Sequence, residues 1–502
     1  MINSQESYFN TFGVGEAQLS KLVEAALEHG GDYADLFFEN STYRELVLRD
    51  GKVSTGGFHV DYGVGIRVLK GDKTGYAYSE STQMRDMLAT AEAASAIAMG
   101  SDTDGRTAAK IVREARSTAA TYTVQHSNGD RLVRRFFTGR PNPAADRYPV
   151  AMDWRSAAVE SLKPYLEKLE TAIRRKDSRV LKVIGILEVS MSDILMYNSF
   201  SELKYDTRPM GTLAASVVFS DGKSIENSHV SRSFRMGAEM LTEDLIEGLA
   251  EQVTSRLDDK FSAKRPKGGV MPVVMGAGAS GILLHEAMGH SFEADFNRKG
   301  QSIFAHRLGQ KVCMDGINIV DDGTIRGNRG ALNFDDEGVP GQRTCMVENG
   351  VLASYLHDRI SAKFYGVTPT GNGRRESFRY NPIPRMRATY MEGGNSEPES
   401  IIASVKKGIY VDEFSNGEVK IGEGDFTFYV KSGYLIENGR LTMPVKDINI
   451  IGNGPKALAD IVAVGNDPKI DDAAWTCGKE QSAAVSCGIP TVLVKELTVG
   501  GE

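Results

Sequence analysis

Hydrophobic and polar positions follow two rhythms along the first hundred residues. EAQLSKLVEAALEH at 16–29 and the alanine-rich MLATAEAASAIAMG at 87–100 have the spacing of amphipathic helices. Between them, YADLFFENS, YRELVLRDGKVSTGGFHV and YGVGIRVLKGDKTGYAYS have the pattern of β-strands, with turn signals at Asp50-Gly51 and Lys70-Gly71-Asp72. The order helix, antiparallel hairpins, helix predicts an α+β fold rather than alternating βαβ units.

The pattern changes near the middle of the chain. Helices are predicted at 156–177 and 238–261, with hairpins between them, and a charged segment rich in Pro and Gly follows at 263–269. We therefore expect an N-terminal α+β domain over 1–262 and a C-terminal domain over 270–502. The second domain reads mostly as strands and turns, with a helix after the strand VMPVVMGAGA and another at about 455–465.

Composition and charge narrow the class of protein. The chain has 502 residues and a net charge of -7, which argues against general nucleic-acid binding. Its four cysteines form no CxxC pair, so free thiols in a reducing compartment are expected. We see neither a signal peptide nor a run of apolar residues long enough to span a membrane. A cytoplasmic protein with no membrane and no nucleic-acid partner is the expectation.

The irregular region from 101 to 150 contains a basic stretch, RLVRRFFTGRPNP at 131–143. A solvated loop, or one that covers a substrate, is the simplest interpretation, and a specific binding patch is the alternative.

The stretch HEAMGH at 285–290 carries the main candidate chemistry. Two histidines five positions apart on a regular helix are separated by about 500°, which leaves the rings roughly 140° apart. A π-bulge would bring both onto nearly one face, and glycine tolerates such a distortion. The spacing therefore predicts that the helix is widened or broken near Met288-Gly289 if His285 and His290 bind one ion.

Neutral imidazoles suit an ion such as Zn²⁺, and a catalytic zinc generally has three protein ligands and one open position. Glu286 is placed to accept a proton from an attacking water. The spacing alone does not select the third ligand, and each cysteine is equally well explained as a small buried apolar residue. The candidates are Glu293, Asp295, His306, His357, Cys313, Cys345, Cys477 and Cys487.

A family resemblance extends well beyond this motif. HEAMGHSFEADFNRKGQSIF, ADLFFENSTYRELVLRDGKV, TGNGRRESFRYNPIPRM, YLIENGRLTMPVKDINIIGNG and WTCGK resemble the TldD/PmbA family of metalloproteases, on the TldD side that carries the metal motif. The resemblance covers nearly the whole chain and is weakest between about 105 and 180.

The resemblance implies zinc ligands at His285, His290 and Cys477, with Glu286 as the catalytic residue. It implies hydrolysis of peptide bonds in unfolded or flexible peptides, inside a cavity enclosed by a homodimer or by a heterodimer with a paralogous subunit. Glu293 and Asp295 match the acidic pair that follows the family motif. They either orient the imidazoles or are helix-surface acids.

Several alternatives stay open at this point. Arg374 and Arg375 are candidate substrate-binding residues that could bind a peptide carboxylate, although an ordinary surface turn would have the same sequence. The chain could be a catalytically inactive peptide-binding subunit of the same fold. It could also be a zinc amidohydrolase of small amides.

Overall fold

The first half of the chain forms one antiparallel sheet. The computed structural model describes residues 4–100 and 146–501, so the basic stretch at 131–143 lies outside the described residues. Six strands pair in the order β3-β2-β1-β4-β5-β6. They are β1 (Tyr33–Arg49), β2 (Lys52–Lys70), β3 (Lys73–Ser79), β4 (Val180–Asn198), β5 (Leu203–Ser220) and β6 (Ile225–Phe234).

The predicted turns explain where these strands end. Asp50 and Gly51 both adopt positive φ, at 49° and 73°, which is the conformation that Asp-Gly favours in a tight hairpin. The sequence runs YADLFFENS and YRELVL, predicted as separate, are one continuous strand that pairs with β2 and β4 along its length.

Helices cover this sheet in two groups. One group packs with the β1–β3 end around Phe12, Leu22 and Phe38, and the other packs with β4 and β5 around Leu166, Leu187 and Leu249. The helices are α1 (Gln5–Phe12), α2 (Glu16–Leu27), α3 (Met84–Met99), α4 (Val159–Lys176), α5 (Glu243–Thr254) and α6 (Leu257–Ser262). The predicted α+β class is confirmed.

The second half is rich in short strands around a separate core. A seven-stranded sheet has the order β14-β7-β23-β17-β15-β16 with β18 beside β23, and a six-stranded sheet has the order β10-β9-β8-β13-β22-β19. The strands that follow β6 are β7 (Gly269–Met275), β8 (Ile319–Asp322), β9 (Arg343–Glu348), β10 (Val351–Leu352), β11 (Gly373–Arg374), β12 (Ile383–Pro384), β13 (Ala388–Met391), β14 (Lys407–Val419), β15 (Asp425–Glu437), β16 (Arg440–Val445), β17 (Ile448–Asn453), β18 (Ile461–Val464), β19 (Lys469–Asp471), β20 (Thr476–Lys479), β21 (Gln481–Ala484), β22 (Ser486–Ile489) and β23 (Val492–Gly500).

The helices of this half are short. They are α7 (Ile282–Leu284), α8 (Ala294–Arg298), α9 (Arg359–Tyr365), α10 (Pro398–Ala403) and α11 (Gly454–Ala459). The prediction of a helix at about 455–465 is therefore correct only for its first half, which is α11. It ends at Ala459, and IVAV at 461–464 forms β18 against β23, because β-branched side chains gain more from sheet burial there.

Buried ion pairs join the two halves. Arg67 on β2 is fully buried and pairs with Asp35 at 2.5 Å and with Glu337 at 2.6 Å. Asp35 lies in the first sheet and Glu337 in the second half. Such a pair fixes the relative placement of the halves, because separating them would leave a buried charge without its partner. In the described ranges, no helix is both long and apolar enough to cross a membrane.

Candidate metal centre

The helix that carries HEAMGH is irregular in the predicted way. An α-helical turn at Ile282–Leu284 passes into a π-helical turn at His285–Gly289 and then into a 3-10 turn at His290–Phe292. The backbone N–H of His290 donates to the carbonyl of His285, five residues earlier. The predicted widening of the helix near Met288-Gly289 is confirmed. It turns positions five apart toward one face.

Glycine at 289 is required by a close approach. Its φ is -55°, an ordinary helical value. A Cβ there would lie 2.1 Å from Sδ of Met386, whose side chain is fully buried. Gly289 therefore lets the π turn lie directly against the core.

Three possible ligand atoms converge on one point. One nitrogen each of His285 and His290 and the Sγ of Cys477 all lie within 4.8 Å of one another, and all three residues are buried. The two imidazole rings are 5.1 Å apart at an angle of 83°, so the rings do not stack. Two imidazoles and a thiolate are a donor set that zinc accepts in catalytic sites.

Cys477 reaches the histidines from a tight hairpin. It lies on β20, which pairs with β21 through Glu480, a residue with φ of 55°. Across this hairpin Cys477 faces Ala483. The turn thus brings a thiol from near the end of the chain to a helix almost two hundred residues earlier.

The contact between Cys477 and His290 tests whether a cation fits. Sγ lies 3.1 Å from Nε2 of His290, while Nδ1 of the same ring lies 3.0 Å from a carboxylate oxygen of Glu293. A ring that donates its Nδ1 proton to Glu293 offers a lone pair at Nε2. Two electron-rich atoms at this distance need a proton or a metal ion between them, so the arrangement fits a metal.

The electrostatics agree with this arrangement. Burial opposes the charged imidazolium, but Glu293 and Cys477 outweigh it and raise the pKa of His290 to about 10. Burial also opposes the thiolate, yet His285 and His290 lower the pKa of Cys477 to about 4. The pair therefore holds a thiolate and one proton over a wide pH range, and a metal ion would replace that proton.

Glu293 is held by a buried lysine. Lys479 Nζ lies 3.1 Å from Glu293 and 2.8 Å from Asp295. Burial works against the Glu293 carboxylate, but Lys479 and His290 hold its pKa down at about 2. Both acids of the pair are thus buried and joined to the centre, rather than lying on an exposed helix surface. Glu293 fixes the orientation of the His290 ring.

Arg385 holds the two strands of the β20–β21 hairpin. It is 1% exposed and donates to the carbonyl of Cys477 at 2.7 Å and to that of Gln481 at 2.6 Å. Its Nε lies 3.8 Å from Glu293. Arg385 therefore links the hairpin that carries the thiolate to the carboxylate that orients His290.

Glu286 lies beside the first histidine and is half-buried, between fully buried neighbours. Burial raises the pKa of its carboxyl above the usual value; His285 and His290 oppose this shift, and Cys477 and Glu293 add to it. A carboxylate with a raised pKa accepts a proton more readily, which suits a general base.

The other candidate ligands do not join this cluster. Among residues 4–100 and 146–501, His285, His290 and Cys477 are the one group of three or more such side chains close enough to hold an ion. His357 packs against Tyr355 and Tyr365, and burial lowers its pKa to about 4. Cys313 and Cys487 are buried thiols whose pKa values are raised by burial.

Arg374, predicted as a substrate contact, ends the short strand β11, and Arg375, predicted likewise, follows it directly. They are 7% and 8% exposed. Arg374 donates to the carbonyls of Met386 and Ala484, at 2.5 Å and 2.8 Å. Arg375 donates to the hydroxyl of Tyr76 in the first sheet. Neither is part of an ordinary exposed turn, since Arg374 is fixed by carbonyls of the second half and Arg375 reaches across to the first sheet.

Sequence reasoning missed Lys479 and Arg385. Lys479 stands two residues after Cys477 in TCGK, so period-two alternation placed it on the same face of a strand as the thiol. That signal could have been used. Arg385 left no such signal, because its carbonyl partners are defined only by the folded hairpin.

The chain is similar to known proteins along most of its length. The family model described as the PmbA/TldA metallopeptidase C-terminal domain matches residues 268–501, and domain 1 of the same family matches 34–98. A metalloprotease TldD homolog of Haemophilus influenzae is 37% identical over 94% of this chain and 93% of its own length. One of Buchnera aphidicola (strain APS) is 32% identical over 99% of this chain and 98% of its own.

The fold is shared with a solved structure. TldE from Thermococcus kodakarensis superimposes with a TM-score of 0.72, covering 96% of this chain and 100% of its own, at 18% identity. Together with the relatives that match along nearly the full chain, these findings show that the protein belongs to the PmbA/TldD family of metallopeptidases.

Proposed function

We propose that the protein is a zinc-dependent peptidase that hydrolyses peptide bonds in unfolded or flexible peptides. One observation carries the proposal. Nitrogens of His285 and His290 and the sulfur of Cys477 lie within 4.8 Å of one another in a buried site. Three protein ligands would leave a four-coordinate zinc one position for water or substrate.

The ligand set indicates the chemistry. His285, His290 and Cys477 would hold the ion, and bound zinc would supply a Lewis acid that polarises the scissile carbonyl and lowers the pKa of water. Two neutral imidazoles and one thiolate leave a formal charge of about +1, so the site is a milder Lewis acid than three histidines would give.

Glu286 moves the proton in this scheme. Its carboxylate takes a proton from the attacking water as the water oxygen bonds to the carbonyl carbon. When the carbon–nitrogen bond breaks, Glu286 delivers that proton to the leaving amine. Glu293 would fix the His290 ring with Nε2 available to hold the ion, because Nδ1 of the ring donates to its carboxylate.

We further propose that the N-terminal domain, over 1–262, helps to enclose the substrate in a dimer. The end of the β1–β2 hairpin leaves Val53, Phe58 and Val60 exposed by 52%, 63% and 46%, a patch that a partner surface could cover. The partner is a second copy or a paralogous subunit of the TldE kind. The proposed location is the cytoplasm.

Two other functions make different predictions. A catalytically inactive subunit would bind peptides and zinc but cleave neither peptides nor small amides. A zinc amidohydrolase would hydrolyse small amides and leave long peptides intact.

The test uses an unstructured peptide library and the purified protein. We expect cleavage that stops when the metal is removed by a chelator and returns with one equivalent of zinc. Glu286→Gln should lower kcat by roughly 10²- to 10⁴-fold while the zinc content stays near one per chain. Full peptidase activity in the Glu286→Gln protein, or none in the zinc-loaded wild type, would refute the proposal.

A further inference from the structure

A cavity of about 210 Å³ lies between the first sheet and the second half of the chain. Its floor includes Ser190, Ser192 and Ile194 of β4. Its opposite wall includes the end of the β20–β21 hairpin. We call it the arginine cavity, because five arginines line it. They are Arg208, Arg235, Arg374, Arg375 and Arg387.

The positive charges of the arginine cavity are only partly balanced. Arg208 pairs with Asp336 at 2.5 Å, and Arg375 lies 3.4 Å from Asp35. No carboxylate of the described residues forms an ion pair with Arg235, Arg374 or Arg387. Asp335, Asp336 and Asp321 offset part of the charge of Arg387, whereas neighbouring arginines outweigh the nearest carboxylate at Arg235 and at Arg374.

The lining also holds unused hydrogen-bond donors. Nε of Arg235, Nε of Arg375 and Nη2 of Arg387 are buried and have no hydrogen-bond partner among the described residues. A buried donor without a partner is unfavourable, so native structures usually satisfy it with a ligand or water. Three such donors around one cavity indicate a place for an acceptor-rich group.

The two other acids of the lining, Glu39 and Glu376, do not cancel the positive charge of the cavity. Glu39 is buried and accepts hydrogen bonds from Ser41 and from the backbone N–H of Phe378, and burial raises its pKa to about 7. Glu376 is exposed at the rim and accepts from the backbone of Ser482.

The arginines also repel one another. Burial lowers the pKa of Arg374 well below its usual value, and Arg387, Arg385 and Arg235 add to that effect. Burial lowers the pKa of Arg235 to about 10. A bound anion would relieve both the desolvation and the repulsion.

The arginine cavity is next to the metal centre. Ala483 lines it and is the cross-strand partner of Cys477. The exposed residues Ser482 and Glu376 form part of its rim, so it can be reached from the surface at the same hairpin. An anion bound here would lie one hairpin away from the thiolate ligand.

We propose that the arginine cavity binds a carboxylate of the peptide substrate and so positions the peptide bond to be cleaved. Arg235 and Arg387 supply free donors, and Arg374, fixed by two carbonyls, supplies charge. Carboxylate is the anion that every peptide carries, at its C-terminus or on acidic side chains. This inference rests on the proposed peptidase function and adds a specificity to it.

The first experiment compares three labelled, unstructured peptides on the zinc-loaded wild-type protein. They share one sequence except at the last residue: the first ends in a free carboxylate, the second in an amide, and the third has a terminal glutamate with an amidated C-terminus. We expect kcat/KM for the free acid to exceed that for the amide by about tenfold, equivalent to about 1.4 kcal/mol. The third peptide shows whether the cavity recognises a C-terminal or a side-chain carboxylate. Only recognition of a side-chain carboxylate would raise its kcat/KM above that of the amide.

Variants assign the effect to the cavity. Arg235→Gln and Arg387→Gln should each reduce the ratio of kcat/KM for the free acid to kcat/KM for the amide toward one. Arg235→Lys should recover part of the ratio. Arg232→Gln is the matched control, since Arg232 lies three residues earlier, is half-buried and does not line the cavity.

Fluorescence anisotropy of the same peptides with the Glu286→Gln protein separates binding from cleavage. Tenfold tighter binding of either carboxylate peptide without any cleavage by the wild type would leave the cavity proposal standing and refute the peptidase function. Equal binding and equal kcat/KM for all three peptides would overturn the cavity proposal, with peptidase function intact. The wild-type comparison gives this answer even where a variant does not fold.

Discussion

At the residue scale, metal binding at the centre depends on the proton that Cys477 and His290 share. Cys477 and His290 lie 3.1 Å apart, and Glu293 holds the far side of the ring. The pKa of the thiol is lowered to about 4 and that of the imidazole raised to about 10. Between these values the pair carries one proton that a metal must displace.

This predicts proton release on metal binding. At pH 7, addition of zinc to the metal-free protein should release about one proton per ion, because His290 loses its proton and Cys477 has none to lose. Affinity should rise by about tenfold per pH unit from pH 5 to pH 9 and level off above pH 10. Calorimetry in buffers with different ionisation enthalpies measures the proton count. Release of two protons would show that the thiol is neutral in the metal-free protein.

The orienting carboxylate gives a second prediction at this scale. Glu293→Gln should weaken zinc affinity by about 10- to 100-fold, because the amide no longer supplies the negative charge that makes the ring a better ligand. Lys479→Met should weaken it less, since Glu293 remains. Competition with a chromophoric chelator measures both. Unchanged affinity in Glu293→Gln would assign that carboxylate to folding alone.

At the scale of single elements, one π-helical turn makes the five-residue spacing usable. The turn at His285–Gly289 lies against Met386, and α11 lies against it from another side, where a Cβ at Gly454 would meet the carbonyl of Ala287 at 2.1 Å. Two glycines thus let neighbouring elements pack closely on the distorted helix.

The packing at Gly289 can be tested by a double-mutant cycle. Gly289→Ala should destabilise the protein by about 1–3 kcal/mol, because the added methyl overlaps Met386. Met386→Ala should cost about 2–5 kcal/mol on its own. The double variant should lose less stability than the two single variants lose together, because the shortened side chain makes room for the methyl. Denaturation monitored by circular dichroism measures all three, and strict additivity would contradict the proposed contact.

The π-helical turn could be predicted from the sequence because it follows from the spacing of two nearby histidines. The five-residue spacing of His285 and His290 is incompatible with a regular helix on one metal, so a distortion was required. The hairpin turn at Asp50-Gly51 was predictable for the same reason. The strand IVAV at 461–464 was read as helix, because its identity depends on pairing with β23, which no local pattern reveals.

At the scale of the whole molecule, the site is assembled from distant segments. Sequence spacing alone left the third ligand open among eight residues, and a family resemblance selected Cys477. The structure brings that thiol to the histidines through a hairpin held by Arg385 and Lys479. The arginine cavity could not be predicted as a cavity, since its walls come from strands of both halves.

The buried ion pairs of Arg67 hold the two halves of the chain in place. Glu337→Gln should lower stability by about 3–5 kcal/mol, because Arg67 would keep only Asp35 as an anionic partner in a fully buried position. The matched surface change, Glu167→Gln beside Lys163, should cost at most about 1 kcal/mol. Urea denaturation measures both. Equal effects from the two variants would show that the buried pair does not hold the halves together.

The most direct test of the whole account is zinc K-edge X-ray absorption on the purified protein. We expect one sulfur scatterer at about 2.3 Å and two imidazole nitrogens at about 2.0–2.1 Å from the metal. Cys477→Ser should remove the sulfur shell and leave the imidazoles. A wild-type protein that binds no zinc after loading, or a zinc shell of nitrogen and oxygen alone, would contradict the proposed centre.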